Sequence, residues 1–172
     1  MNLGFKQQIN GKPTFFPEKI IAGIDLYDHQ KMTLNDSLGD VINPTDDQWD
    51  AGSCNPLFEH QPKLHTIRED KHNRWKAGNL IHFGINIRTP NYLRFAPVTE
   101  CKSVQQFEII YYECIDPGEG ELFEIKIDGR VLNMAEQITL AINDGFENLG
   151  DFLEFFNKDF TGKIIHWTDL KY

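Results

Sequence analysis

The sequence predicts an α+β domain in which short strands in series, folded as a barrel or sandwich, are flanked by short helices. Three observations carry that expectation. Runs of β-branched and aromatic residues recur between residues 63 and 127, as strands require. Apolar residues at helical spacing then take over between Met134 and Phe156. A final β-rich run, Lys163-Ile164-Ile165-His166-Trp167-Thr168, follows Gly162. A length of 172 residues suits one domain spanning 1–172 rather than two cores.

Taken in order, a short polar lead gives way at Pro17 to Ile20, Ile21 and Ile24 at near-helical spacing. Proline in the first turn and Gly23 near the end frame a short helix. From Asp25 to Pro62 no period holds, and Asp, Asn, Gly and Pro accumulate. That stretch reads as a long loop insertion at about 25–62, pinned by Leu26, Trp49 and Phe58, since loops of this length are seldom part of a compact scaffold. A strand end over Lys63–Arg68, a charged turn, and strands through Leu80–Phe83, Tyr92–Phe95, Gln105–Tyr112 and Leu122–Ile127 come next. Asp128-Gly129 predicts a tight hairpin pairing Ile127 with Val131. Met134, Ile138, Ala141 and Ile142 form one helical stripe stopped by Gly145, and Leu149, Phe152, Leu153 and Phe156 form a second capped by Asn148.

Composition narrows the function. Seventeen Lys plus Arg against twenty-six Asp plus Glu give a formal charge of −9, which opposes the phosphate attraction behind sequence-independent nucleic-acid binding. Any such role needs a local cationic face. Cys54, Cys101 and Cys114 lack the spacing of a zinc or redox pair and read as reduced thiols. Six scattered histidines and the carboxylate pairs Asp46-Asp47 and Glu69-Asp70 match no metal loop, and Gly118-Glu119-Gly120 reads as a turn rather than a phosphate loop. No metal and no cofactor is expected. The start has no apolar signal segment, and no run of about 18 apolar residues spans a bilayer. A cytoplasmic protein without a membrane partner is expected.

The densest chemical cluster is Lys63-Leu64-His65-Thr66-Ile67-Arg68-Glu69. In an extended strand Thr66 and Arg68 share a face, and Lys63 joins them only if the chain bends at its entry. A lysine held near other cations or away from water becomes a base able to take the threonine proton. The Arg68 fork suits phosphate or carboxylate. On spacing alone a solvated, charged strand end is the plainer account. Trp75, Tyr92 and Arg74 offer ring faces and charge for stacking on an exposed base, although most such aromatics belong to cores.

The run Lys63-x-x-Thr66-Ile67-Arg68-Glu69-Asp70, followed by Trp75-Lys76-x-Gly78, resembles the signature of the ASCH family. Asn143-Asp144-Gly145-Phe146, the Phe152–Phe156 stretch, the closing strand and the opening Pro17-Glu18-Lys19-Ile20-Ile21-x-Gly23 extend the likeness over most of the chain outside the 25–62 loop. The resemblance implies a small PUA-like β-barrel of about five to seven strands and a link to RNA-related binding. Small bacterial members resemble amidohydrolases that deacylate N-acetylated cytidine nucleosides. In that branch a lysine acts as base, a threonine as nucleophile and an acid assists; the matching positions are Lys63, Thr66 and Asp144. Two departures stand out. The enzymes carry Glu where Asp144 lies, a methylene longer, and they join the first helix almost directly to the motif.

Three readings follow, in order. The first is a module binding RNA or a modified nucleotide or nucleoside, with Lys63, Arg68 and Arg74 on phosphate and Trp75 or Tyr92 on a base. The second is an amidohydrolase using Lys63, Thr66 and Asp144. The third is a protein-interaction module with a vestigial pocket. Oligomeric state is not encoded in any pattern of the sequence.

Overall fold

The computed structural model describes residues 1–24, 61–112 and 122–172. The loop expected at 25–62, apart from its last two residues, lies outside them. So do Cys54, Cys114, His29, His60, the Asp46-Asp47 pair and the turn expected at Gly118-Glu119-Gly120.

The fold is α+β. Its larger sheet is antiparallel and has five strands in the order β10-β9-β8-β11-β4, formed by β4 (His65–Arg68), β8 (Ser103–Tyr112), β9 (Leu122–Ile127), β10 (Arg130–Val131) and β11 (Phe160–His166). Strand β11, between β8 and β4, sets Ile164 against Ile67 and Gln105, and Ile165 against Thr66 and Val104. Ile164 and Ile165 are both 0% exposed, because successive residues point to opposite faces and both faces are covered. The expected hairpin is present, with Asp128 and Gly129 at φ of 50° and 80° as a two-residue turn demands, but in a tighter register: Arg130 pairs with Ile127, and Val131 with Lys126.

One face of this sheet packs on α2 (Met134–Asn143) and α3 (Leu149–Phe155) through Ile67, Phe107, Ile109, Phe152 and Phe156. Phenylalanine edges meet phenylalanine faces here, with Phe107 and Phe152 at 6.2 Å and 84°, and Phe146 and Phe152 at 5.4 Å and 84°. Such pairs add about 0.5–1.5 kcal/mol each beyond the area they bury. α2 opens on a reciprocal capping box between Asn133 and Glu136, and Asn148 caps α3 by accepting from the Asp151 amide.

The opposite face packs against a smaller sheet of β1 (Asn2–Gly4), β5 (Leu80–Ile85), β6 (Leu93–Arg94) and β7 (Thr99–Glu100), and against α1 (Phe16–Gly23). The polar lead is thereby corrected. Leu3 and Phe5 are buried, and β1 runs parallel to β5 with Leu3 opposite Phe83. A hairpin, β2 (Gln8–Ile9) and β3 (Lys12–Pro13), turns at Asn10 and Gly11 with φ of 50° and 77°. The expected strand over Tyr92–Phe95 narrows to β6, and the last strand begins at Phe160 and ends at His166. Among the described residues the paired strands form open sheets, with β10 and β4 at the ends of the larger one. No helix among them is long and apolar enough to cross a membrane.

Helix α1 buries Phe16, Lys19, Ile20 and Gly23 and docks the chain that enters β4. The Lys63 amide donates to the Lys19 carbonyl at 2.8 Å. A Cβ on Gly23 would stand 2.3 Å from the Lys63 carbonyl oxygen, so only glycine admits this approach. Gly23→Ala is expected to destabilise the protein by about 2 kcal/mol, as overpacking against backbone does. Thermal unfolding should report this as a fall in Tm of about 4–8 °C.

Candidate functional site

The site forms where the C-terminal end of α2 meets the free edge of β4. Gly145 takes φ +88°, the Phe146 amide donates to Ala141 at 3.0 Å and the Gly145 amide to Ile142 at 2.8 Å. This is a Schellman turn with glycine in the left-handed position, and it leaves the carbonyls of Asn143, Asp144 and Gly145 without helical donors. Each finds a donor from another element. The Leu64 amide reaches Asn143 at 2.8 Å, the Lys63 ammonium donates to the Asp144 carbonyl, and the Lys19 ammonium donates to the Gly145 carbonyl at 2.9 Å. Two cations thus sit at the negative pole of the helix, where they are favoured.

The Asp144 side chain turns back into the same place. Lys63 Nζ donates to its Oδ1 at 2.7 Å, the Ile67 amide lies 3.3 Å from the same oxygen, and His65 Nδ1 lies at 3.5 Å. Lys63 is 1% exposed and Asp144 4%. Phe16 places its ring 4.7 Å from the Lys63 ammonium. A Cβ on Gly145 would press on Lys63 Cδ and Phe16 at 3.0 Å.

Burial disfavours the charged form of Lys63 and brings its pKa from 10.5 down to about 8. Asp144 opposes that fall, whereas Arg68 and Lys19 add to it. For Asp144, burial pushes upward, but Lys63 and His65 outweigh it and hold the carboxyl below its ordinary value. Burial lowers His65 and Arg68 as well.

The structure brings together some of the expected site residues and separates others. Lys63 and Asp144 meet directly, and the shorter aspartate reaches the lysine because the tight turn at Gly145 brings the backbone itself close. Thr66 lies on the face of β4 that also carries Arg68, as alternation predicts, opposite Ile165. It is buried, and no hydrogen bond among the described residues joins its hydroxyl to Lys63 or Asp144. Arg68 donates to the Gly4 carbonyl at 2.6 Å and covers the Phe5 ring at 5.1 Å, while its Nε is buried without a partner.

Arg74 is exposed on the turn beside Asp70, and Tyr92 is 42% exposed with its ring against Gly84. Trp75 corrects the expectation of a stacking platform. It is 5% exposed within the core that holds Phe5 and Phe83, so it presents no face to a base.

Three contributors escaped the sequence reading, Lys19, His166 and Tyr172, and His65, read within the dense cluster, was given no role. Lys19 alone left a trace, a lysine on the buried stripe of α1 between Phe16 and Gly23. His65 and His166, read as unrelated, are cross-strand partners whose rings lie 5.2 Å apart. His65 Nε2 lies 2.7 Å from the Tyr172 hydroxyl, to which Asn143 Nδ2 donates at 2.9 Å. A cleft borders the site through Phe16, Lys19 and Gly145 and is lined as well by Glu147, Asp151 and Glu154. Among the described residues no three His, Cys, Asp or Glu side chains converge as a metal site. No family model, curated protein or solved structure matches the chain.

Two predictions come from this geometry. Lys63→Met leaves Asp144 buried without its cation and is expected to cost about 3–5 kcal/mol in chemical denaturation, whereas Lys63→Met combined with Asp144→Leu should recover most of the loss. His166 is 0% exposed, and both its ring nitrogens lack partners. Burial, then the neighbouring His65, pushes its pKa from 6.5 down to about 3. Its folded pKa therefore lies below the unfolded one, so the stability it contributes is present above about pH 6.5 and is lost as pH falls towards 3. His166→Phe should be at least as stable as wild type at pH 7 and should flatten the decline in stability between pH 6.5 and pH 4, followed by urea unfolding at stepped pH.

Proposed function

We propose that the chain is an ASCH-like module, with the PUA-like barrel that this implies, binding a nucleoside or nucleotide beside the Lys63–Asp144 pair. The observation that supports this reading is a local charge imbalance. Lys63 is buried and Arg68 half-buried, the nearby Lys19 ammonium is paired with the exposed Glu147, and the buried carboxylate that bears on Lys63 and Arg68 is Asp144. Such a cluster favours an anionic or electron-rich guest. Arg68 has an unpartnered N–H to offer. The resemblance supplies the class of ligand. Because Lys63 is buried, Arg68 half-buried and Trp75 core, a small nucleoside or nucleotide fits better than an RNA strand, with Arg74 and Tyr92 left as outer contacts.

A second reading, hydrolysis of an N-acylated cytidine-type nucleoside, is favoured by the Lys63 pKa of about 8, close to the pH at which a general base works best. In that reaction the neutral Lys63 amine removes the Thr66 proton as Oγ attacks the acyl carbonyl. The bond between the acyl carbon and the exocyclic nitrogen breaks, and the nucleoside amine leaves with the proton returned by Lys63. Water then cleaves the threonine ester, releasing the carboxylic acid and free Thr66.

Both readings are tested by titrating cytidine, cytidine monophosphate and N-acetylcytidine into wild type, Arg68→Gln and Thr66→Ala, with chromatography of the acetylated samples. Binding is expected, weakened about tenfold or more in Arg68→Gln, since a hydrogen bond to a charged group is worth about 1.5–3 kcal/mol. Free cytidine formed by wild type and not by Thr66→Ala would establish the hydrolase. Neither binding nor turnover would overturn both readings and return the chain to a protein-interaction role.

A further inference from the structure

We infer that His65 and Tyr172 are positioning residues for the Lys63–Asp144 pair, aiming a proton at the Asp144 carboxylate through a hydrogen-bond chain whose direction is fixed. The inference rests on taking that pair as the functional centre; Tyr172 lies far from the motif that drew attention to it, and His65 lies within that stretch at a position the motif leaves open.

The direction follows from counting protons. Asn143 Nδ2 can only donate, and it lies 2.9 Å from the Tyr172 hydroxyl oxygen. The phenol is therefore an acceptor on that side and has its own proton to give elsewhere. His65 Nε2 lies 2.7 Å away. Burial keeps both the imidazole and the phenol in their neutral forms, and with the Asp144 carboxylate facing Nδ1 the assignment that serves both ends has Tyr172 donating to Nε2 and the single imidazole proton on Nδ1. Nδ1 faces Asp144 Oδ1 across 3.5 Å. Nδ1 is buried and makes no hydrogen bond among the described residues, yet it lies near enough to the carboxylate, away from water, for an N–H dipole to favour the position that Asp144 takes.

The far end of the chain is anchored as well. The Tyr172 amide donates to Gln105 Oε1 at 2.9 Å, and Gln105 Nε2 donates to the Tyr172 carbonyl at 2.9 Å. Gln105 also donates to Asp128 at 2.9 Å. Tyr172 is thus held to β8 at two backbone points, and its ring packs edge-on against His65 at 5.4 Å and 83°. His65 stands on β4 with its orientation fixed from both sides.

The consequence falls on Lys63. The charged groups that bear on it are Asp144 beyond α2, Lys19 on α1 and Arg68 on β4, and Asp144 alone among these favours the ammonium. Without the Tyr172 hydroxyl, Nε2 can take the imidazole proton and Nδ1 then turns a lone pair towards the carboxylate. The Nδ1–H dipole no longer faces the Asp144 carboxylate, which is freed to rotate away, and Lys63 loses part of the one counter-charge that bears on it among the described residues.

The test uses the full chain without ligand, so its outcome is separate from that of the binding and turnover assays. In wild type, ¹⁵N NMR of labelled histidine at pH 7 should show His65 as the Nδ1–H tautomer; the Nε2–H tautomer would overturn the inference, and this arm needs no variant. In Tyr172→Phe, which keeps the ring and the Gln105 bonds, the Lys63 titration followed by its ¹³Cε shift should move down by about one pH unit, a tenfold gain in neutral amine at fixed pH. An unchanged midpoint in the folded variant would show that His65 and Tyr172 only fill space.

Discussion

The end of α2 imposes the constraint on which the rest of the structure depends. A helix that stops inside a protein must find donors for its last carbonyls, and here Asn143, Asp144 and Gly145 take theirs from Leu64, Lys63 and Lys19. To deliver those donors, the strand edge at β4 and the helix α1 must both be in register with α2. That requirement explains features that look unrelated in the chain. Gly23 lets Lys63 approach α1, and Gly145 turns the chain left-handed and leaves room for the Lys63 stem. The Lys63 amide closes the set by bonding to α1 while its side chain bonds to the α2 terminus. One residue therefore ties two helices to an edge strand, and loosening any of the three exposes a buried charge.

Such a junction is costly unless it is fully satisfied. A lysine and an aspartate taken out of water lose several kcal/mol of hydration each, and their attraction offsets the loss only where further hydrogen bonds complete the arrangement. Lys63 donates to both a carbonyl and a carboxylate, and Asp144 Oδ1 faces an ammonium, a backbone amide and an imidazole. The pair is well enough supported to persist, yet burial first, with Arg68 and Lys19 adding to it, brings the lysine's pKa down to about 8. A purely structural cap would gain by keeping other cations at a distance. The crowding of cations here is the feature that a helix cap alone leaves unexplained, and perturbed groups of this kind concentrate at functional sites.

What was legible in the sequence was what is local. The three helices could be read because proline, asparagine caps and glycine stops lie within a turn of the residues they govern. The Asp128-Gly129 hairpin could be read for the same reason. β1 could not, because three residues give no period and its partner is β5, nearly eighty positions away. Trp75 misled because an aromatic beside lysine has the same composition at a surface as in a core. The site divides along the same line. Lys63, Thr66 and Arg68 lie in one short run, and Asp144 was reached only through a family likeness, since 81 positions separate it from Lys63. His65 and Tyr172 stand 107 positions apart, with no pattern to link them.

Asp144 shows why side-chain length alone is a poor guide to whether a site can assemble. From the sequence, aspartate in place of glutamate removes a methylene and shortens the reach of the acid. The structure makes up the difference with backbone. Because Asp144 is itself the last residue before the left-handed glycine, its own carbonyl and its carboxylate both point at the same ammonium, and the helix end is brought up to the strand edge by the Leu64 bond to Asn143. A glutamate at this position would have to fold back or push Lys63 out of the contact it makes with Phe16. The short acid and the close turn are one solution, and each makes sense only in the presence of the other.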